Sequence, residues 1–199
     1  MNEKIAVVGS DIDLLDDISE SSQELIGYFS LSDKGLSYPY LGDHTKIGSL
    51  HREAKIVVAV DDVKLRRHLW QEYENCITSY VSNSSRISKS AWIGSGVVIY
   101  PNVYVGGLSV ISNLVKISVG AQVHHECFVG DFSVLAPKVL ALGRVRISEA
   151  VFVGANASLA PGTQIGAGAI IGMSANVLKN VSEESVCWGN PARIIEQKS

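Results

Sequence analysis

The sequence predicts a small α/β unit over residues 1–84, followed by a parallel β-helix over residues 85–199. Three observations carry this expectation. From Ile87 to Ser182 the chain divides into sixteen consecutive hexapeptides without an insertion. Before them, strand and helix patterns alternate. The composition, with 18 Gly, 46% apolar and only 19% charged residues, suits a turn-rich β protein better than a helical bundle.

The first unit reads in order. Lys4 to Gly9 (KIAVVG) is a short β-branched run ending in Gly, and Asp11 to Ile18 opens on an acid as a helix does. Glu24 to Leu31 reads as a second strand and Lys55 to Val60 (KIVVAV) as a third. Val63 to Glu74 follows as a helix, with Leu65, Leu69 and Tyr73 on one face. Strand, helix, strand, then strand and helix is the grammar of a small parallel, Rossmann-like α/β unit.

In the second unit each hexapeptide begins with Ile, Leu or Val, except the one that begins with Ala141. The fifth position is always Ala, Val, Ser, Cys or Thr. Six residues are too few for a helix pair, so each unit is one strand and one corner, and three units close a triangular coil. The first position points inward and stacks on its equivalents in neighbouring coils. The fifth must be small because it turns into the same narrow interior. Gly, Asn and Pro at the second to fourth positions are expected to supply the corner conformations. About five coils, stacked at ~4.8 Å, make a prism roughly 25 Å tall.

Several function classes are set aside by composition. The formal net charge is −3, with no block of Lys or Arg, which argues against a nucleic-acid polymer as partner. Cys76, Cys127 and Cys187 lie far apart with no CxxC, so neither a disulfide scaffold nor a zinc ribbon is expected, and a reducing, cytoplasmic setting fits. The start, MNEKIAVVGSDIDLLDD, does not read as a signal peptide. Ser90 to Val115 and Ala150 to Leu178 carry no charged residue, yet Gly, Asn and Pro break both into hexapeptides. They are not membrane spans.

The pattern [I/L/V]-[G/A]-x-x-[small]-x, with VHHECFVGDFSVLAP in its middle and GNPARII near the end, resembles the hexapeptide-repeat bacterial sugar acetyltransferases. Within them the chain is similar to sialic-acid O-acetyltransferases and to N-acetyltransferases of nucleotide-linked 4-amino sugars. The resemblance implies a left-handed β-helix, a homotrimer with active sites between subunits, and acetyl-CoA lying between adjacent prisms. It places a sugar nucleotide on the N-terminal unit and calls for no metal.

The same resemblance makes His125 the general base, followed by Glu126. The repeat adds independent support, because the hexapeptide Val123 to Phe128 is the only one of the sixteen that contains histidine, and imidazole has no role in a Gly- and Asn-rich corner. His124, His125 and Glu126 fall at its second to fourth positions. A His near its ordinary pKa of about 6.5 suits proton removal near neutral pH, and the carboxylate would fix its tautomer. Cys127, in the fifth position, is expected to point into the core rather than act as a nucleophile. Zinc on three histidines is not expected, since the prism holds only two, adjacent to each other.

For the cofactor, the resemblance points to Gly143, to Gly154, Ala155, Asn156 and Ala157, and to Arg193 near the CoA phosphates. For the acceptor it points to Gly9, Ser10, Arg66 and Ser118. Departures are visible: Ser118 stands where relatives carry Asn, and Val134 where many carry His. Gly9-Ser10 runs into Asp11-Ile12-Asp13 where a Gly-His loop is usual, and Ala59-Val60-Asp61-Asp62 replaces an Ala-Ile-Gly-Asn turn. The reaction expected is acetyl transfer from acetyl-CoA to the amine of an amino sugar. O-acetylation of a sugar hydroxyl is the alternative, and a non-catalytic assembly subunit a third.

Overall fold

The computed structural model describes residues 3–50 and 53–197. Strands β1 (Lys4–Val8), β2 (Glu24–Phe29) and β3 (Lys55–Val58) form a parallel sheet in the order β2-β1-β3. Helix α1 (Ile12–Ser19) follows β1, α2 (Ile47–Leu50) lies between β2 and β3, and α3 (Val63–Tyr73) follows β3. The two longer helices start where short acids cap them: Asp11 accepts from the Leu14 N–H, and Asp62 from the Leu65 N–H. Strands β2 and β3 end two residues earlier than their apolar runs suggest, because Ser30-Leu31 and Ala59-Val60 leave the sheet to line a cleft. Residues 30–46 carry no periodic signal. They fold back on β2, with Tyr40 bridging Tyr28, then make a short 3-10 turn at His44–Lys46.

The hexapeptides build a three-sided parallel β-helix. From Arg86–Ile87 to Asn176–Val177, the sixth residue of one unit and the first of the next form a two-residue strand, and strands eighteen residues apart pair, as Val98–Ile99, Lys116–Ile117 and Val134–Leu135 do. The faces comprise eight, six and five strands, the largest completed by the hairpin Ser185–Gly189 and Ala192–Gln197. First- and fifth-position side chains make one continuous core, from Val97 and Ile99 through Val123, Cys127 and Ala141 to Val177, which Cys187 of the closing hairpin joins. Each buried aliphatic side chain contributes roughly 1.5–3 kcal/mol, so the repeat itself holds the prism together.

The corners correct one expectation. The fourth position adopts a left-handed backbone in fourteen of the sixteen units, and mostly without glycine, as at Leu108, Leu114, Glu126, Phe132, Lys138 and Arg144. Its N–H donates to a carbonyl one coil below, as Glu126 does to Gly107 at 2.9 Å. Repeated inter-coil bonds of this kind offset the ~1–2 kcal/mol that the conformation costs an L-residue. Second-position glycines serve a different need. A Cβ at Gly154 would lie 2.7 Å from the Met173 nitrogen, so glycine there lets the coils stack.

The α/β unit docks on the eight-stranded face. Sixth-position side chains point outward, yet Val98, Lys116 and Val134 are buried, whereas Phe152 on the next rung is 38% exposed. Leu114 and Phe132, at the corner bordering this face, pack with Ile47, Leu69 and Ile77. Polar bonds cross the seam: Tyr80 Oη donates to Asp17, Tyr100 Oη to Asp11, and Arg66 to the Phe132 carbonyl, at 2.8, 2.8 and 2.9 Å. Burial, helped by the neighbouring carboxylates, pushes both phenol pKa values up, so both tyrosines remain donors.

Candidate active site

Two features of the molecule have the chemistry of a site, and the fold holds them on different sides of the prism. The first is the corner at residues 124–127, between the six-stranded and five-stranded faces. His125 stands at its third position. The units eighteen residues before and after place Gly107 and Gly143 in the same column, so no side chain crowds the imidazole from either coil. Gly143 is in contact with it: a Cβ there would lie 2.5 Å from His125 Nε2 and 2.6 Å from Cε1. The left-handed backbone at Glu126 (φ 58°) turns its carboxylate back beside the ring, and Nδ1 meets Glu126 Oε2 at 2.9 Å. With Nδ1–H donating to the carboxylate, Nε2 carries the lone pair and faces Gly143.

Arg144, one coil above Glu126, brings its guanidinium to 3.9 Å from the same carboxylate. Sequence reading missed it, although the eighteen-residue spacing from Glu126 signals it. All three side chains are roughly half exposed, so the pair adds little to stability and instead leaves the ring open to a substrate. The Gly143 N–H has no hydrogen-bond partner among the described residues. Gly143 itself is buried.

Neighbouring residues have other duties. His124 lies edge-on to Tyr104 and 3.4 Å from Gln122 Oε1. Cys127 is buried, its thiol 3.1 Å from the Leu142 carbonyl and its pKa pushed up by burial, so it belongs to the core and not to a Cys–His pair. Among the described residues no three His, Cys, Asp or Glu side chains cluster as a metal would need; His51 lies outside them.

The other predicted cofactor and acceptor residues fall elsewhere. Ser118 and Gly154 to Ala157 share the corner between the eight- and six-stranded faces, one side of the triangle away from His125. Ser118 is 8% exposed, and Asn156 has a left-handed backbone. Arg193 is on the terminal strand Ala192–Gln197, exposed, with its guanidinium on the Ala192 carbonyl. Arg66 is 1% exposed and does not line the cleft described next. Its guanidinium enters the seam, where burial lowers its pKa to about 10 against the opposing pull of Asp61, and its Nε has no partner.

The second feature is a cleft of about 730 Å³ at the carboxyl ends of β1, β2 and β3, where parallel α/β sheets bind ligands. Gly9, Ser10 and Asp11 line it from one strand end, Ser30 and Leu31 from another, and Asp61 and Asp62 from the third. His44 and Lys116 complete its polar wall. Lys116 belongs to the prism. No sequence signal marked it, because which outward face is covered becomes visible only once the two units are docked.

Neither protein-family models nor curated proteins match the chain. Solved structures do. The acetyltransferase domain of PglB from Neisseria gonorrhoeae, in complex with acetyl coenzyme A, superposes with a TM-score of 0.90 at 24% identity, over 98% of this chain and 100% of that one. PerB from Caulobacter crescentus, in complex with CoA and GDP-perosamine, gives a TM-score of 0.90 at 25% identity, over 98% of each chain. WeeI from Acinetobacter baumannii gives 0.84 at 23%, over 98% of this chain and 100% of that one. The fold is therefore shared along the whole described length, and the hexapeptide-repeat acetyltransferase resemblance in the sequence leads to the same group of proteins.

Proposed function

We propose that this chain is an acetyl-CoA-dependent N-acetyltransferase acting on the amine of a nucleotide-linked amino sugar. One observation carries the reading: a histidine with Nδ1 on a carboxylate and Nε2 held over a side-chain-free glycine, in the fold of acetyltransferases solved with acetyl-CoA or with CoA and GDP-perosamine.

The chemistry follows from that geometry. The acceptor's neutral amine attacks the thioester carbonyl while His125 Nε2 takes its proton, and Glu126 stabilises the imidazolium. The carbonyl oxygen becomes an oxyanion, for which the Gly143 N–H is the available donor. Collapse breaks the C–S bond, and the imidazolium returns the proton to the departing thiolate. Acetylated amine and free CoA thiol leave, with no acyl-enzyme. Acetyl-CoA passes beside His125 in this reading, and the absence of a side chain at Gly143 is what lets the imidazole keep its place there, since a Cβ would lie 2.5 Å from Nε2.

The cleft on the α/β unit, Gly9 and Ser10 included, holds the nucleotide portion in this reading. It opens over the eight-stranded face, whereas His125 occupies the opposite corner of the same prism. A homotrimer of left-handed prisms resolves the separation by setting one chain's cleft beside the next chain's His125, with Ser118 and Gly154 to Ala157 facing that junction. Among the described residues no helix is long and apolar enough to cross a membrane, and a cytoplasmic setting goes with this assignment. Residues 1–84 then recognise the acceptor and residues 85–199 carry the transfer.

The test is CoA-thiol release from acetyl-CoA against UDP-, dTDP- and GDP-linked amino sugars, with sialic acid as a hydroxyl control. Turnover on an amino sugar, reduced roughly 10²–10⁴-fold in His125→Ala, is the expected result. Turnover confined to the hydroxyl control, or equal turnover in the variant, overturns it.

A further inference from the structure

We infer that Lys116 is the residue through which the prism reads the phosphates of the acceptor, and that Asp61 occupies it until the acceptor arrives. The inference rests on the acetyl-transfer reading above. It begins from what the cleft lacks. Strand-end clefts ordinarily meet phosphate with helix N-termini. Here both nearby termini are filled by the chain's own carboxylates, Asp11 on the Leu14 N–H at 3.4 Å and Asp62 on the Leu65 N–H at 2.7 Å. Asp11 is doubly engaged, since its other oxygen accepts from Tyr100 Oη at 2.8 Å.

That leaves Lys116 as the cleft-lining residue with a fixed positive charge among those described. Its side chain is 9% exposed and reaches the cleft from the prism strand Lys116–Ile117. The ammonium donates to the Ala59 carbonyl at 3.2 Å and to Asp61 Oδ1 at 2.9 Å, while Asp11 lies 4.0 Å away. It stands over the Tyr100 ring, 5.3 Å from the centroid. A buried ammonium needs an anion beside it, and Asp61 fills that need from an unusual position. Its side chain is 59% exposed, and Lys116 is its hydrogen-bond partner. Turning Asp61 into solvent therefore costs little, and a phosphate oxygen can take its place on the ammonium with the charge balance kept. Because Lys116 is fixed in the prism's ladder, this contact ties the acceptor's phosphates to the prism of the same chain and not only to its α/β unit.

The experiment measures binding of UDP, dTDP and GDP, and of the matching nucleosides, to the full chain by calorimetry, with thermal melting in parallel. Lys116→Met is expected to weaken the preferred diphosphate roughly tenfold or more, and to leave its nucleoside unchanged. Asp61→Asn is expected to lower Tm while strengthening the diphosphate a few-fold, because the competing carboxylate is gone. A mere clasp between the two units gives the opposite pattern: both variants melt earlier and diphosphate affinity stays at the wild-type value. That result overturns the inference and leaves acetyl transfer standing if thiol release persists. Thiol release on nucleotide-free amino sugars, with no diphosphate bound by wild type, overturns it together with the nucleotide-linked part of the proposed function, and leaves acetyl transfer to an amine standing. Absence of both diphosphate binding and thiol release on every acceptor overturns this inference and the proposed function together.

Discussion

His125 owes its reach to residues that have no side chain. In the column through the third corner position it stands between Gly107 and Gly143, and the second of these supports the imidazole at Nε2. Adding one methyl group there tests how far geometry, apart from proton chemistry, governs the rate. Gly143 has an ordinary backbone conformation, so Gly143→Ala leaves the coil intact and forces the ring aside. A misplacement of about 1 Å costs on the order of hundredfold in rate. The variant is expected to keep the wild-type Tm within a few degrees while kcat falls by about that factor. An unchanged kcat would show that Nε2 does not work from the position over Gly143.

At the scale of the coil, the left-handed fourth position divides into two kinds of residue that respond oppositely to glycine. Lys138 is exposed, so its side chain contributes little and the conformation is strained without return. Leu114 adopts the same conformation but is fully buried against the α/β unit. Lys138→Gly relieves ~1–2 kcal/mol of left-handed strain and loses ~0.5–1 kcal/mol to unfolded-chain entropy. The balance is a rise in Tm of about 2 °C. Leu114→Gly relieves the same strain and removes a buried Leu side chain worth ~2–5 kcal/mol, so Tm should drop steeply. Thermal melting of the pair decides it, and a fall in both would mean that the corner conformation carries no strain. Such contrasts also mark the limit of what the sequence displays. First- and fifth-position residues repeat because all of them meet the same interior, so the β-helix and its phase are visible without a structure. Fourth-position residues do not repeat, because only the backbone is common to them. The His125-Glu126 pair was legible as a break in the pattern, whereas Arg144 and Lys116 look like ordinary corner and outward residues until neighbouring coils and the docked unit are in place.

Across the whole molecule, the decisive fact is that the strand-end cleft proposed for the acceptor and the His125 corner proposed for catalysis lie on different sides of one chain. The α/β unit covers the eight-stranded face, and His125 lies where the other two faces meet. If both features serve one reaction, each reaction draws on two chains, and complementation reads this out without a structure of the assembly. His125→Ala removes the base and leaves the cleft intact. Ser10→Trp fills the cleft, which Ser10 lines, and leaves the base intact. Either variant alone should release little CoA thiol. Co-expressed in equal amounts and assembled at random, they regenerate a junction with both an open cleft and a working base at about a quarter of the sites in a closed ring. Recovery to about a quarter of wild-type activity is thus the expected outcome, together with the mass of a trimer by light scattering. If the cleft served the His125 of its own chain, every site in the mixture would lack one half, and no activity would return whatever the proportions.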